Sequence, residues 1–131
     1  DVLAPAALEN VLTGKNAAGI KAKLILEMAN GPTAPEADKI FKERGVMVIP
    51  DILANSGGVA VSFYEWYQNL HNEKWEKATV LKKLDEQMTE AYKAVFATKE
   101  KFQTDFRNAA YILAAQRIQE AEKNLNPTAF Y

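Results

Sequence analysis

The chain has 131 residues, with 16 lysines and arginines against 17 aspartates and glutamates, and no cysteine. That length fits one domain, able to bury roughly two-thirds of the surface its unfolded chain exposes, and the balanced charge without a basic run argues against a nucleic-acid or anionic-membrane partner. Disulfides and thiolate metal sites are excluded, and charge or proline breaks every apolar stretch before the roughly eighteen residues of a membrane span, so the expectation is a soluble protein of a reducing cytoplasm.

The chain opens on Asp1 and runs straight into an apolar stretch, without a secretory signal, which leads us to expect a piece of a longer polypeptide. Residues 2–4, 22–28 and 46–49 are short apolar runs bounded by Pro, Gly or Asn, and the last two contain several β-branched residues, as buried parallel strands do. After the second run, Thr33-Ala-Pro-Glu36 reads as a capping box with proline in the first turn. Ala37, Ile40 and Phe41 mark one helical face, and Gly45 stops the helix. The runs are more than a dozen residues apart, enough for the right-handed crossovers that parallel pairing requires.

The second half is helical in period. Aromatic residues crowd residues 59–71 (Phe63, Tyr64, Trp66, Tyr67), and from about Trp75 on, Leu81, Leu84, Met88, Ala91 and Val95 alternate three- and four-residue spacings along one face of a long helix. Phe106, Ala110, Leu113 and Arg117 continue the pattern on a last helix with Asp105 as its N-cap, and residues after Asn124 carry no period and are expected to fray. His71, the lone histidine, follows the aromatic stretch and lacks companion ligands for a metal.

Ligands of an open parallel sheet bind beyond the C-terminal ends of its strands, so the residues after each run matter most. The first run ends in Pro5-Ala6-Ala7, small enough for a ligand to approach the backbone. The second ends in Ala29-Asn30-Gly31-Pro32-Thr33, and the third leads through Asp51-Ile-Leu-Ala to Asn55-Ser-Gly-Gly58. Asn30 and Asn55 each donate and accept hydrogen bonds, which suits a ribose or a carboxamide; both are equally good turn formers. Gly57 and Gly58 open a helix whose free N–H groups can face a polar ligand, a weak signal by itself.

Three blocks, Asp1-Val-Leu-Ala-Pro-Ala-Ala-Leu8, Ala29-Asn-Gly-Pro-Thr-Ala-Pro-Glu-Ala-Asp38 and Pro50-Asp-Ile-Leu-Ala-Asn-Ser-Gly-Gly-Val-Ala-Val-Ser-Phe-Tyr-Glu-Trp66, closely resemble, in order and separation, the C-terminal signature of the glutamate dehydrogenases. The likeness extends to Arg107-Asn-Ala-Ala-Tyr111, and Asn-Gly-Pro-Thr and Ser-Phe-Tyr-Glu-Trp look like the glutamate branch rather than the leucine, phenylalanine or valine branch. The resemblance implies an α/β fold in which residues 1–102 are the C-terminal half of a Rossmann-like NAD(P)-binding domain with three parallel strands, and residues 103–131 a helix and tail packing back toward the substrate domain. It implies that Asn30 and Asn55 contact the nicotinamide side of NAD or NADP, that Ala6 and Ala7 lie under the dinucleotide, and that Val59 and Ser62 line the amino-acid pocket, with the Ser62 hydroxyl on the side-chain carboxylate of glutamate. Val59 and Ser62 are three residues apart, so a helix can present both to one cleft.

The family's glycine-rich fingerprint, catalytic lysine and catalytic aspartate belong to earlier segments. The resemblance therefore implies an oligomeric enzyme of L-glutamate and 2-oxoglutarate whose missing N-terminal segments supply catalysis, and a piece inactive by itself. A non-catalytic nucleotide-binding module and a structural module derived from the same family stand as the alternatives.

Overall fold

The computed structural model describes residues 1–125; the expectation for the end of the chain falls largely on residues 126–131 and so lies outside them. Strands β1 (Val2–Leu3), β2 (Leu24–Leu26) and β3 (Met47–Ile49) form a parallel sheet in the order β1-β2-β3. Val2 is opposite Leu24, and Ile25 is opposite Val48. Each strand lies within its predicted run but is shorter, because pairing ends where the chain turns into the loops at either end.

Both faces of the sheet are covered, and the pleat divides β2 between them. Ile25 packs with Leu12, Ala17, Ala37 and Phe41 on one face, whereas Leu24 and Leu26 pack against the cluster of Ile49, Leu53, Val95, Phe106, Ala109 and Ala110 on the other. Helix α1 (Pro35–Glu43) lies on the first face and ends where Gly45 takes φ +69°, the left-handed conformation that favours glycine after a helix. The Arg44 guanidinium then donates to the carbonyls of Ala17 and Ile20 at 2.6 and 2.7 Å, fastening the first crossover, with its 3-10 turn at Ala17–Gly19, to the end of α1.

The capping box is corrected by the structure. Pro35 occupies the first turn and makes Ala34 the N-cap, with no side-chain cap; Thr33 instead sits in an extended bridge with Leu12, and its buried Oγ1 has no partner among the described residues. Asp51-Ile-Leu-Ala, read as connecting chain, is a short helix α2 (Asp51–Ala54) that passes through Asn55 into α3 (Ser56–His71).

The long helix α4 (Lys77–Phe102) carries the expected stripe. Val95 is buried and Ala91 packs on the core, Leu84 and Met88 meet the start of α3 at Gly57, and Leu81 is half exposed. Tyr64, Tyr67, His71 and Trp75 cluster where α3 turns back toward α4; the His71 ring stacks on Tyr67, with Nδ1 2.9 Å from the Tyr67 carbonyl, an ordinary structural role. Helix α5 (Phe106–Leu125) packs along α4 and touches β3.

Asp105 caps α5 as expected, accepting from the Asn108 N–H at 2.8 Å, and Lys42 of α1 reaches its other oxygen at 3.2 Å. Partial burial pushes the Asp105 pKa up, but hydrogen bonds from Asn108 and Lys42 and the lysine charge outweigh it and hold the carboxyl below its ordinary value. The resulting stabilisation is complete above the ordinary aspartate range and is lost as pH falls through the lowered folded value. Asp105→Ala is expected to cost about 1 kcal/mol at neutral pH and almost nothing in strong acid, as urea unfolding at several pH values would show. A loss independent of pH would contradict the capping role.

Candidate functional site: a cleft at the strand ends

Because β2 and β3 are adjacent and parallel, the segments that leave them emerge side by side. Asn30 and Asn55 are 25 positions apart in sequence, yet Asn55 Nδ2 donates to Asn30 Oδ1 at 2.7 Å, with a longer contact of 3.4 Å to the Met28 carbonyl. The exit of β1 joins them: the Met28 and Ala29 N–H groups both donate to the Pro5 carbonyl, at 3.0 and 2.8 Å. Together they border an open cleft of about 680 Å³ lined by Ala7, Asn30, Asn55, Val59 and Ser62, with Glu9, Met28, Ala29 and Gly58 completing it.

Five of the six anticipated site residues therefore share one cleft, whereas Ala6 is exposed outside its lining. Val59 and Ser62 reach it from one face of α3. The glycine pair divides its labour: Gly58 lines the cleft, while a Cβ at Gly57 would lie 3.5 Å from Leu84 and 3.7 Å from Met88, so Gly57 lets α3 approach α4. Glu9 was not singled out from the sequence, since the residue pattern gives no signal that a carboxylate just past Ala7 turns into the cleft.

The Asn pair leaves Asn55 Oδ1 and Asn30 Nδ2 without a partner among the described residues, one acceptor and one donor at the same cleft wall. That combination matches a carboxamide, which carries one group of each kind. Ala7 and Gly58 keep the wall low, and Val59, with 74 % of its surface exposed, supplies apolar area. The donor and acceptor of the Asn pair can thus meet a carboxamide-bearing ligand of the nicotinamide kind. No group of three or more acidic or histidine side chains among the described residues is placed to hold a metal ion, and no described helix is long and apolar enough to cross a membrane.

Behind the cleft lies an ion cluster that has no counterpart in the sequence patterns. Glu27, directly after β2, is fully buried. It accepts from Arg107 Nη2 and Nη1 at 2.7 and 3.0 Å, a bidentate pair, and from the Asp51 N–H at 2.9 Å. Arg107 Nε also donates to Asp38 at 2.6 Å. Burial would lower the Arg107 pKa, but hydrogen bonds to Glu27 and Asp38 and their charges more than reverse this, so the guanidinium stays protonated. A second groove, of about 410 Å³, borders β3 between α1 and the start of α5, with Asp38 and Arg107 of this cluster in its lining, and none of the anticipated site residues lines it. Its position beside residues 45–48, which enter and form β3 rather than leave it, sets it apart from the strand-end cleft.

Residues 1–125 match the Glutamate/Leucine/Phenylalanine/Valine dehydrogenase family. The chain belongs to that family. Glutamate dehydrogenase of Thermotoga maritima is 50% identical over 123 residues, 94% of this chain and 30% of that protein, and the NAD-specific glutamate dehydrogenase of Peptoniphilus asaccharolyticus is 50% identical over 94% of this chain and 29% of its own length. The crystal structure of the Peptoniphilus enzyme superimposes with a TM-score of 0.90 over 94% of this chain and 31% of that one, at 49% identity. The hetero-hexameric glutamate dehydrogenase of Thermus thermophilus, in its Leu-bound form, gives a TM-score of 0.89 at 33% identity, over 92% of this chain and 29% of that one. This member of the dehydrogenase family thus spans about 30% of the length of the curated relatives it matches.

Proposed function

We propose that the chain is the C-terminal part of an NAD-dependent glutamate dehydrogenase, which interconverts L-glutamate with 2-oxoglutarate and ammonium. In this reading residues 1–102 are the C-terminal half of a Rossmann-like domain, and the chain from residue 103 leads back toward the substrate domain. The observation that carries it is the Asn30–Asn55 pair on the shared wall with Ala7, facing Val59 and Ser62 on α3. NAD is preferred over NADP because the Peptoniphilus relative is NAD-specific. An oligomer is proposed because the Thermus relative is hexameric. The location proposed is cytoplasmic.

Bound NAD would supply the hydride acceptor, and the chain's own residues would orient the two reactants. The Asn55 amide, held by Asn30 and by the Met28 carbonyl, presents its oxygen to the carboxamide of the nicotinamide, and Asn30 presents its amide hydrogens. Val59 provides an apolar wall for the methylene groups of glutamate, and the Ser62 hydroxyl donates to its side-chain carboxylate. The segments that precede this one in the family supply proton transfer and the pyrophosphate turn. Val59, Phe63, Trp66 and Leu70 recur at helical spacing on α3 with half or more of their surface exposed, which supports a face that meets other parts of the enzyme.

Asn55→Ala in the full-length enzyme tests this reading. Since Asn55 bonds only to exposed or carbonyl groups, the change is expected to cost under about 1 kcal/mol of stability while lowering kcat/KM for glutamate about threefold to tenfold. A marked fall in melting temperature with unaltered catalysis would instead make Asn55 a turn residue only.

A further inference from the structure

We infer that Arg107, Glu27 and Asp51 form a relay of positioning residues through which α5 sets the geometry of the cofactor cleft. The inference rests on the cofactor reading proposed above and assigns a role to residues outside the cleft lining.

The connection can be followed bond by bond. Arg107 on α5 clamps both oxygens of Glu27, and Glu27 Oε2 also accepts the N–H of Asp51, the first residue of α2. Asp51 then works in two directions. Its Oδ2 accepts the Gly31 N–H at 2.8 Å, fixing the peptide next to Asn30. Its carbonyl accepts the Asn55 N–H at 3.1 Å, one helical turn further on. Both cleft asparagines are therefore secured through Asp51, whose N–H is bound by a buried glutamate that an arginine 80 positions away clamps at both oxygens. Gly31 sits at φ +55°, a left-handed conformation that its hydrogen bond to Asp51 helps to hold.

One guanidinium ties the cluster together. Three carboxylates, Glu27, Asp38 and Asp51, surround one guanidinium, at 2.7, 2.6 and 3.8 Å. Arginine's planar fork can bond Glu27 and Asp38 at the same time, which a lysine ammonium on a flexible stem cannot do in that geometry. A core that needed only filling would use apolar side chains here, since a buried ion pair contributes little net stability over a hydrophobic replacement.

The test compares two ligands of the full-length enzyme, NAD and ADP-ribose, which lacks the nicotinamide. Asp51→Asn keeps the side chain's size, removes the negative charge near Arg107 and leaves one amide oxygen for the two N–H groups, of Gly31 and Ile52, that the carboxylate accepts. It is expected to weaken NAD about fivefold to twentyfold and to leave ADP-ribose within about twofold. Arg107→Lys, which cannot hold Glu27 and Asp38 together, should likewise weaken NAD and spare ADP-ribose; if it fails to fold, Asp51→Asn decides alone. Equal loss of both ligands, or of neither, overturns the relay. Asn55→Ala, measured alongside, separates the two ideas. If it weakens NAD selectively and Asp51→Asn does not, the relay alone fails, and if neither does, the cofactor reading fails with it.

Discussion

Replacing Arg107 by alanine is expected to destabilise the protein by about 3 kcal/mol, the largest loss among the substitutions considered. The change leaves Glu27, whose side chain is fully buried, with its charge stranded and two hydrogen bonds missing. Breaking a buried pair from one side costs about 3–5 kcal/mol because the remaining ion is neither solvated nor paired. The lower end applies here, since 23% of the Arg107 side chain reaches water and the Asp51 N–H still serves Glu27. Urea unfolding of the full-length enzyme should show the midpoint shift. Glu27→Gln added to the alanine variant should recover part of the loss, because a neutral amide in the same place strands no charge. A loss under about 1 kcal/mol, or no recovery in the double variant, would mean that the cluster is already hydrated.

Ser62→Ala should reduce kcat/KM for glutamate about tenfold to a hundredfold in the full-length enzyme, from a hydrogen bond to a charged group worth about 1.5–3 kcal/mol. Ser62 is exposed on α3 and lines the cleft, so alanine removes a hydroxyl without opening a cavity in the core. Norvaline, which lacks the side-chain carboxylate, should lose much less. The ratio of the two losses is the informative quantity. Equal losses would place Ser62 in support of the helix or the cofactor and remove the best residue-level reason for assigning this pocket to glutamate.

The parallel strands were legible because β-branched runs separated by crossover-length segments have few other solutions, and Gly45 and Asp105 marked helix ends by their own conformational chemistry. The capping box misled because Pro35 opens the helix, so the N-cap position falls on Ala34 and Thr33 is left to bridge Leu12. Helix α2 escaped notice since four residues are too short to show a period. Spacing could suggest that Val59 and Ser62 share a face, but it could not tell whether Asn30 and Asn55 were turn residues or ligand residues. Adjacency of their strands brings them within 2.7 Å, while the ligand roles came from likeness to glutamate dehydrogenases. The Arg107–Glu27 pair links positions 80 apart, and no spacing or period marks the two as partners: Glu27 sits inside an apolar run, where a carboxylate looks like an interruption.

A crystal structure of the full-length enzyme with NAD and glutamate bound would test the account most directly. The prediction is a nicotinamide carboxamide within hydrogen-bond distance of Asn55 or Asn30 and a glutamate side-chain carboxylate accepting from Ser62 Oγ. A nicotinamide bound away from this cleft, or a glutamate whose side-chain carboxylate is held by other residues with Ser62 facing solvent, would contradict it.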